Sequence, residues 1–132
     1  MAQDPRLLSA EALAYLGDSV LELMVRSKLV REGISHSRKL NRLAQEYVTA
    51  PRQAEATERI LPHLTEEEQA AFRRGRNMSH SNVPKNATRS QYCVASGLEA
   101  LFGHLYLAGE TDRMETLFRI AYPDGEEEKG EN

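Results

Sequence analysis

Apolar residues recur at spacings of three and four along almost the whole chain, and no stretch alternates long enough to argue a strand, so the pattern predicts an all-α protein. The stops and starts divide it into a bundle of about six helices. Ser9 can cap a first helix from about Ala10 to Glu32, closed by Gly33. A second starts near Ser37 and carries Leu40, Leu43 and Tyr47. Thr49 followed by Pro51 opens a third, which stops near Pro62. Thr65 and Glu68 form a capping box for a fourth, which runs to about Arg76. A fifth, long helix spans about Arg89 to Ala108 and stops at Gly109; Thr111 caps a short last helix that ends before Pro123.

Residues 77–88, "NMSHSNVPKNAT", have no helical period and form one long internal loop, a class that often carries function. On the first helix Leu13, Leu16, Val20, Leu23 and Met24 make a broad apolar face, and Asp18 lies almost opposite, in line with Glu11 and Glu22. Glu22 has Arg26 four residues on; Asp18 has no cation three or four positions away. Ala14, Tyr15, Val25 and Leu29 share the acidic side, so both sides of this helix are expected to be at least partly covered. A covered carboxylate needs a hydrogen bond, a cation or a metal.

The Arg89–Ala108 helix offers a meeting place. Val94, Leu98, Leu101 and Leu105 form its core stripe, Glu99 points away from it, and the neighbours of Glu99 on its own side are Ala95, Ser96, Phe102 and Gly103. Small residues there, and Gly17 beside Asp18, let two helices approach closely, which would bring Asp18 and Glu99 together. Two such carboxylates either shift a pKa or recruit a cation, and an oxygen-only donor set suits magnesium, with manganese as substitute. The competing reading, equally compatible with the periodicity, ties Glu99 to an arginine.

Charge sharpens the picture. The net charge is −3, but the last ten residues, "PDGEEEKGEN", hold five acids against Lys129, so residues 1–122 carry +1. The chain therefore divides into a domain over 1–122 and an acidic tail over 123–132, expected to be disordered and to serve solubility. Arg73, Arg74, Arg76, Lys85 and Arg89 lie within 17 residues, with no acid between Glu68 and Glu99; Asn77, Ser79 and Asn86 add hydrogen-bond donors. That combination suits phosphates and sugar hydroxyls. His36, His63 and His104 are scattered without a common partner, and His80 sits in the polar loop. The single cysteine, Cys93, excludes an intrachain disulfide, and no apolar run approaches the roughly 18 residues that cross a bilayer, so a cytoplasmic protein is expected.

The wording of the two acidic helices, "EALAYLGDSVLEL" and "SGLEALFGHLYLAG", resembles the signature and second acidic helices of ribonuclease III proteins, and "RRGRN" and "VPKNAT" resemble the basic loop of the family's small branch, which lacks an appended double-stranded RNA-binding domain. The likeness covers about residues 9–120. It implies a homodimer of ribonuclease III-type endonuclease domains that cuts both strands of an RNA duplex with Mg2+, in maturation of the large-subunit (23S) ribosomal RNA precursor, with room for a ribosomal protein as helper and no role for a membrane. By position, Asp18 and Glu99 match the metal-binding catalytic acids. Ala14 and Ser96 stand where the longer enzymes carry two further acids, which leaves Ser96 to orient a water and Glu11 as an outer member, about 10 Å from Asp18 along the axis. Arg73, Arg74, Arg76, Asn77, Lys85, Asn86 and Arg89 are the RNA-binding candidates, and the face carrying Tyr15, Leu16 and Leu21 is a dimer contact by analogy with the signature helix, core packing being the alternative. Two rivals stand beside the nuclease: a catalytically silent RNA-binding dimer of the same fold, and an all-helical protein-interaction module.

Overall fold

The computed structural model describes residues 4–78 and 87–124, and among them there are six α-helices and no strand. They are α1 (Ala10–Arg31), α2 (Ser37–Tyr47), α3 (Ala50–Ile60), α4 (Glu66–Arg76), α5 (Arg89–Leu107) and α6 (Thr111–Ala121), with short 3-10 turns at Pro5–Leu7 and Leu61–His63. Local chemistry accounts for most of the boundaries. The Ser9 hydroxyl accepts from the Ala12 amide at 3.0 Å, Thr49 accepts from Arg52 at 3.3 Å, and Thr65 and Glu68 close a reciprocal capping box. Thr88 and Gln91 form a second box at the start of α5. Gly33 and Gly109 take φ of 90° and 75° after α1 and α5, a conformation that favours glycine. One expected cap is misplaced: Glu110, without a side-chain bond, precedes α6, and Thr111 is its first helical residue.

α5 is the central element, packed on α1, α3, α4 and α6, while α2 lies on α1. Leu98, Leu101, Phe102 and Leu105 are at most 1% exposed and share one core with Val25 and Leu29 of α1, Tyr47 of α2, Ile60 of α3 and Leu117 of α6. Tyr122 closes the far side, its ring edge-on to Tyr47 at 5.4 Å and its hydroxyl donating to the Tyr47 carbonyl at 3.2 Å. The expected apolar face of α1 is only partly in this core. Leu23 of that face is 65% exposed; on the acidic side Val25 and Leu29 are covered as expected but Tyr15 is 83% exposed, and Leu21, assigned to a dimer contact by analogy, is buried at 1%.

A buried ion pair fastens α6 to α4. Arg113 donates through Nε and Nη2 to Glu68 at 2.8 and 2.9 Å, and Nη2 also reaches the His63 carbonyl at 2.6 Å. Burial acts to raise the Glu68 pKa, but the bonds from Arg113 and the Thr65 amide outweigh it and hold the carboxyl below the usual range. Glu68→Ala removes both bonds to a half-buried guanidinium and the capping contact to the Thr65 amide, so chemical denaturation is expected to show a loss of about 2 kcal/mol; a loss under about 0.5 kcal/mol would mean the pair is not structural.

Candidate active site

The site is built where α1 and α5 touch backbone to backbone. A Cβ placed on Gly17 would lie 1.6 Å from the Glu99 carbonyl oxygen, and one on Gly103 would lie 2.1 Å from the Leu13 carbonyl oxygen. Glycine at both positions lets the helices come closer than any side chain would permit, and the two pairings run in opposite directions along the chain, so α5 is antiparallel to α1. Asp18 follows Gly17 on the exposed side of that crossing, and Glu99 meets it from α5, half-buried. Burial first, then the charge of Asp18 and a hydrogen bond between the two side chains, push the Glu99 carboxyl up from 4.5 to about 8. Neither acid has a basic partner among the described residues, so the alternative of a Glu99–arginine pair does not hold.

The other expected members are placed differently. Ser96 is 4% exposed one turn before Glu99, and its hydroxyl proton is already donated to the Tyr92 carbonyl at 3.1 Å; any water it holds must donate to its remaining lone pairs. Ala14 is buried with Leu13 and Ala100. Glu11 is exposed and does not join the pair: no group of three potential metal-ligating side chains exists among the described residues. Periodicity put Glu11 in line with Asp18, but two turns of helix separate them.

Of the basic residues, Arg73, Arg74, Arg76 and Arg89 are exposed, as is Asn77. α4 brings its end close to the acids, since a Cβ on Gly75 would sit 2.7 Å from the Ser96 carbonyl oxygen. The arginines are not equivalent. Arg74 donates to the Leu8 carbonyl and so anchors the N-terminal segment, and Arg76 bonds the Asn77 side chain at 3.2 Å with its guanidinium 5.8 Å from the Phe72 ring. Arg73 and Arg89 have no bonded partner among the described residues. Lys85 and Asn86, with Ser79 and His80, lie outside the described residues. His104 belongs to the core at 2% exposure, its Nε2 3.6 Å from Glu67.

The ribonuclease III domain family matches residues 11–110, a span that holds both acids and the crossing that joins them. The chain belongs to the ribonuclease III family. Within it, this ribonuclease III domain is similar to the Mini-ribonuclease 3 of Symbiobacterium thermophilum, 41% identical over 89% of this chain and 91% of that one. It is also similar to the Mini-ribonuclease 3 of Desulfitobacterium hafniense, 43% identical over 93% and 78% of the two chains. A crystal structure of a Fusobacterium nucleatum protein superposes with a TM-score of 0.81 at 29% identity, covering 91% of this chain and 98% of the other. The helical ribonuclease III fold is therefore common to relatives with little more than a quarter of their residues in common, and the branch is that of the Mini-ribonucleases 3.

Proposed function

We propose that the protein is a magnesium-dependent endoribonuclease that hydrolyses double-stranded RNA, acting as a cytoplasmic homodimer in maturation of the large-subunit ribosomal RNA precursor. The observation that carries the reading is the meeting of Asp18 and Glu99 with no cation beside them among the described residues; burial first, and then Asp18, hold the Glu99 carboxyl at about 8. Such a pair fits a divalent ion. Mg2+ is commonly held by one or two carboxylates and keeps its other positions for water and phosphate, so two oxygen donors suffice. When bound, the ion supplies positive charge beside the scissile phosphate and a water of lowered pKa.

The chain's own residues do the remainder. Glu99 gives up its proton to become a donor, Asp18 holds the exposed side of the site, and Ser96 lends lone pairs to a water in the outer shell. Arg73, Arg76 and Arg89, with Lys85 and the neighbouring amides of Asn77 and Asn86, hold the phosphates and sugars flanking the cut, which suits A-form RNA, whose base edges lie in a deep, narrow groove. Dimerisation is supported by an unpartnered stripe on α1, where Tyr15, Leu23 and Val30 are 83, 65 and 60% exposed. A twofold axis through that stripe would supply a second acid pair for the second strand.

The test incubates purified protein with a long RNA duplex in magnesium or in chelator. Fragments are expected only with magnesium, while binding persists in chelator. Duplex bound but intact in both magnesium and manganese would make the protein a silent binder; duplex neither bound nor cut would make it an interaction module.

A further inference from the structure

The cations of this domain divide sharply into those with a job inside the fold and those without. Arg6 pairs with Asp4, Arg26 with Glu22, Lys28 with Glu32 and Asp124, and Arg113 with Glu68. By contrast Arg31, Arg38, Lys39 and Arg42 are exposed and bond to nothing among the described residues. These four fall within one short stretch whose single acid, Glu32, is already held by Lys28. The stretch forms the end of α1 and the start of α2, away from the basic loop that the sequence singles out.

α2 turns Leu43, Ala44 and Tyr47 into the core, and the opposite side presents Arg38, Asn41, Arg42 and Gln45, all exposed. This composition selects the partner. A protein-binding face would centre on apolar or aromatic anchors, and a membrane-lying helix would need an apolar face to bury; neither interrupts these four positions. Arginine with carboxamides is the set that contacts phosphate and sugar.

Placement agrees. Because α5 runs antiparallel to α1, Arg89 lies about 15 Å from Glu99 toward the C-terminal end of α1. Arg31 lies about 20 Å from Asp18 toward the same end, where α2 begins. A duplex lying over the acids and extending in that direction would meet Arg89 and then α2, about 20 Å from the cut.

We propose that the exposed face of α2, with Arg31 beside it, is a second phosphate-gripping surface that holds the same RNA duplex on one flank of the Asp18–Glu99 pair. This rests on the nuclease reading, and sets a minimum duplex length for tight binding. Nothing in it requires the α2 residues to reach the scissile bond.

The experiment compares wild type with an Arg38→Ala/Lys39→Ala/Arg42→Ala variant in chelator, over a salt series. The probes are a hairpin duplex of about 5 base pairs, too short to reach from the acid pair to α2, and one of about 30. On the long duplex the variant is expected to bind at least ~10-fold more weakly, with the slope of log K against log salt reduced by about 2 to 3. On the short duplex the two proteins should bind alike. In magnesium, KM for the long duplex should rise with kcat unchanged, and Arg38→Lys/Arg42→Lys should restore most of the affinity. Equal binding and equal slopes on the long duplex would overturn the inference alone, as would equal losses on both duplexes or a loss confined to an acidic peptide such as polyglutamate. If wild type binds neither duplex, the nuclease reading itself fails.

Discussion

Glu99→Gln is expected to abolish cleavage while making the metal-free protein more stable at alkaline pH. The first effect follows from removing a donor of the ion: a loss of about 4 kcal/mol of transition-state stabilisation is about a thousandfold in rate. Asp18→Asn should do the same, and both variants should still bind duplex. The second effect follows from the pKa. Glu99 titrates near 4.5 in the unfolded chain and at about 8 in the fold, so between those values the folded protein binds a proton that the unfolded chain does not. Its contribution is therefore fully present below pH 4.5 and is lost as pH rises through 8. With some solvent access to the pair, the loss is on the order of 3 kcal/mol. Thermal melts in chelator should show wild type losing stability from pH 5 to 9 by more than Glu99→Gln, and magnesium should reverse that loss in wild type alone. Parallel pH profiles for the two proteins, or a variant that still cuts, would remove Glu99 from the site.

Gly17→Ala is expected to be far more damaging than its single methyl suggests. The added carbon would meet the Glu99 carbonyl oxygen at 1.6 Å and its carbonyl carbon at 2.5 Å, both backbone atoms that no rotamer change can move. The whole of α1 must then shift away from α5, which opens the core and parts Asp18 from Glu99. Overpacking of this kind costs about 3 kcal/mol or more, a fall in Tm of about 10 °C for a domain of this size. Activity should fall with it, even at temperatures where the variant remains folded. Gly33→Ala is the control, because its Cβ would meet nothing within 4 Å and only the positive φ of 90° is strained. That substitution should cost about 1 kcal/mol and leave cleavage intact. Near-equal melting of Gly17→Ala and wild type would show that the two helices do not need to touch.

The pairing of helices by glycine explains why the acids were legible in the sequence. Asp18 lacked a cation within its own helix, and Glu99 stood among small residues on the side away from the core stripe. Both facts are local. They indicate that each helix accepts a close neighbour on its acidic side, but a helix face has no address, and an arginine from anywhere in the chain would have satisfied Glu99 equally well.

Helix boundaries were legible for the same reason in reverse: caps and stops act within a few residues. Ser9, Thr49, Thr65, Gly33 and Gly109 terminate or start helices through bonds and dihedrals that involve only their neighbours. Thr111 misled because a threonine at the first helical turn and one at the cap look alike in sequence, and the choice depends on the sharp turn after α5. Burial on α1 was less legible. Leu21 and Leu23 are both apolar and two residues apart, and only the positions of α2 and α5 put one in the core and leave the other in solvent. The basic residues were visible as charge, yet charge does not reveal which arginine is spent internally: Arg74 holds the Leu8 carbonyl, while Arg73 beside it has no bonded partner among the described residues. The sequence by itself determined the helices, the odd acid on α1 and the excess of cations, since each is a property of neighbours along the chain. That the two carboxyls meet, that Glu11 is left out and which cations remain available for phosphate came only with the tertiary structure, because those outcomes depend on which faces of different helices come into contact.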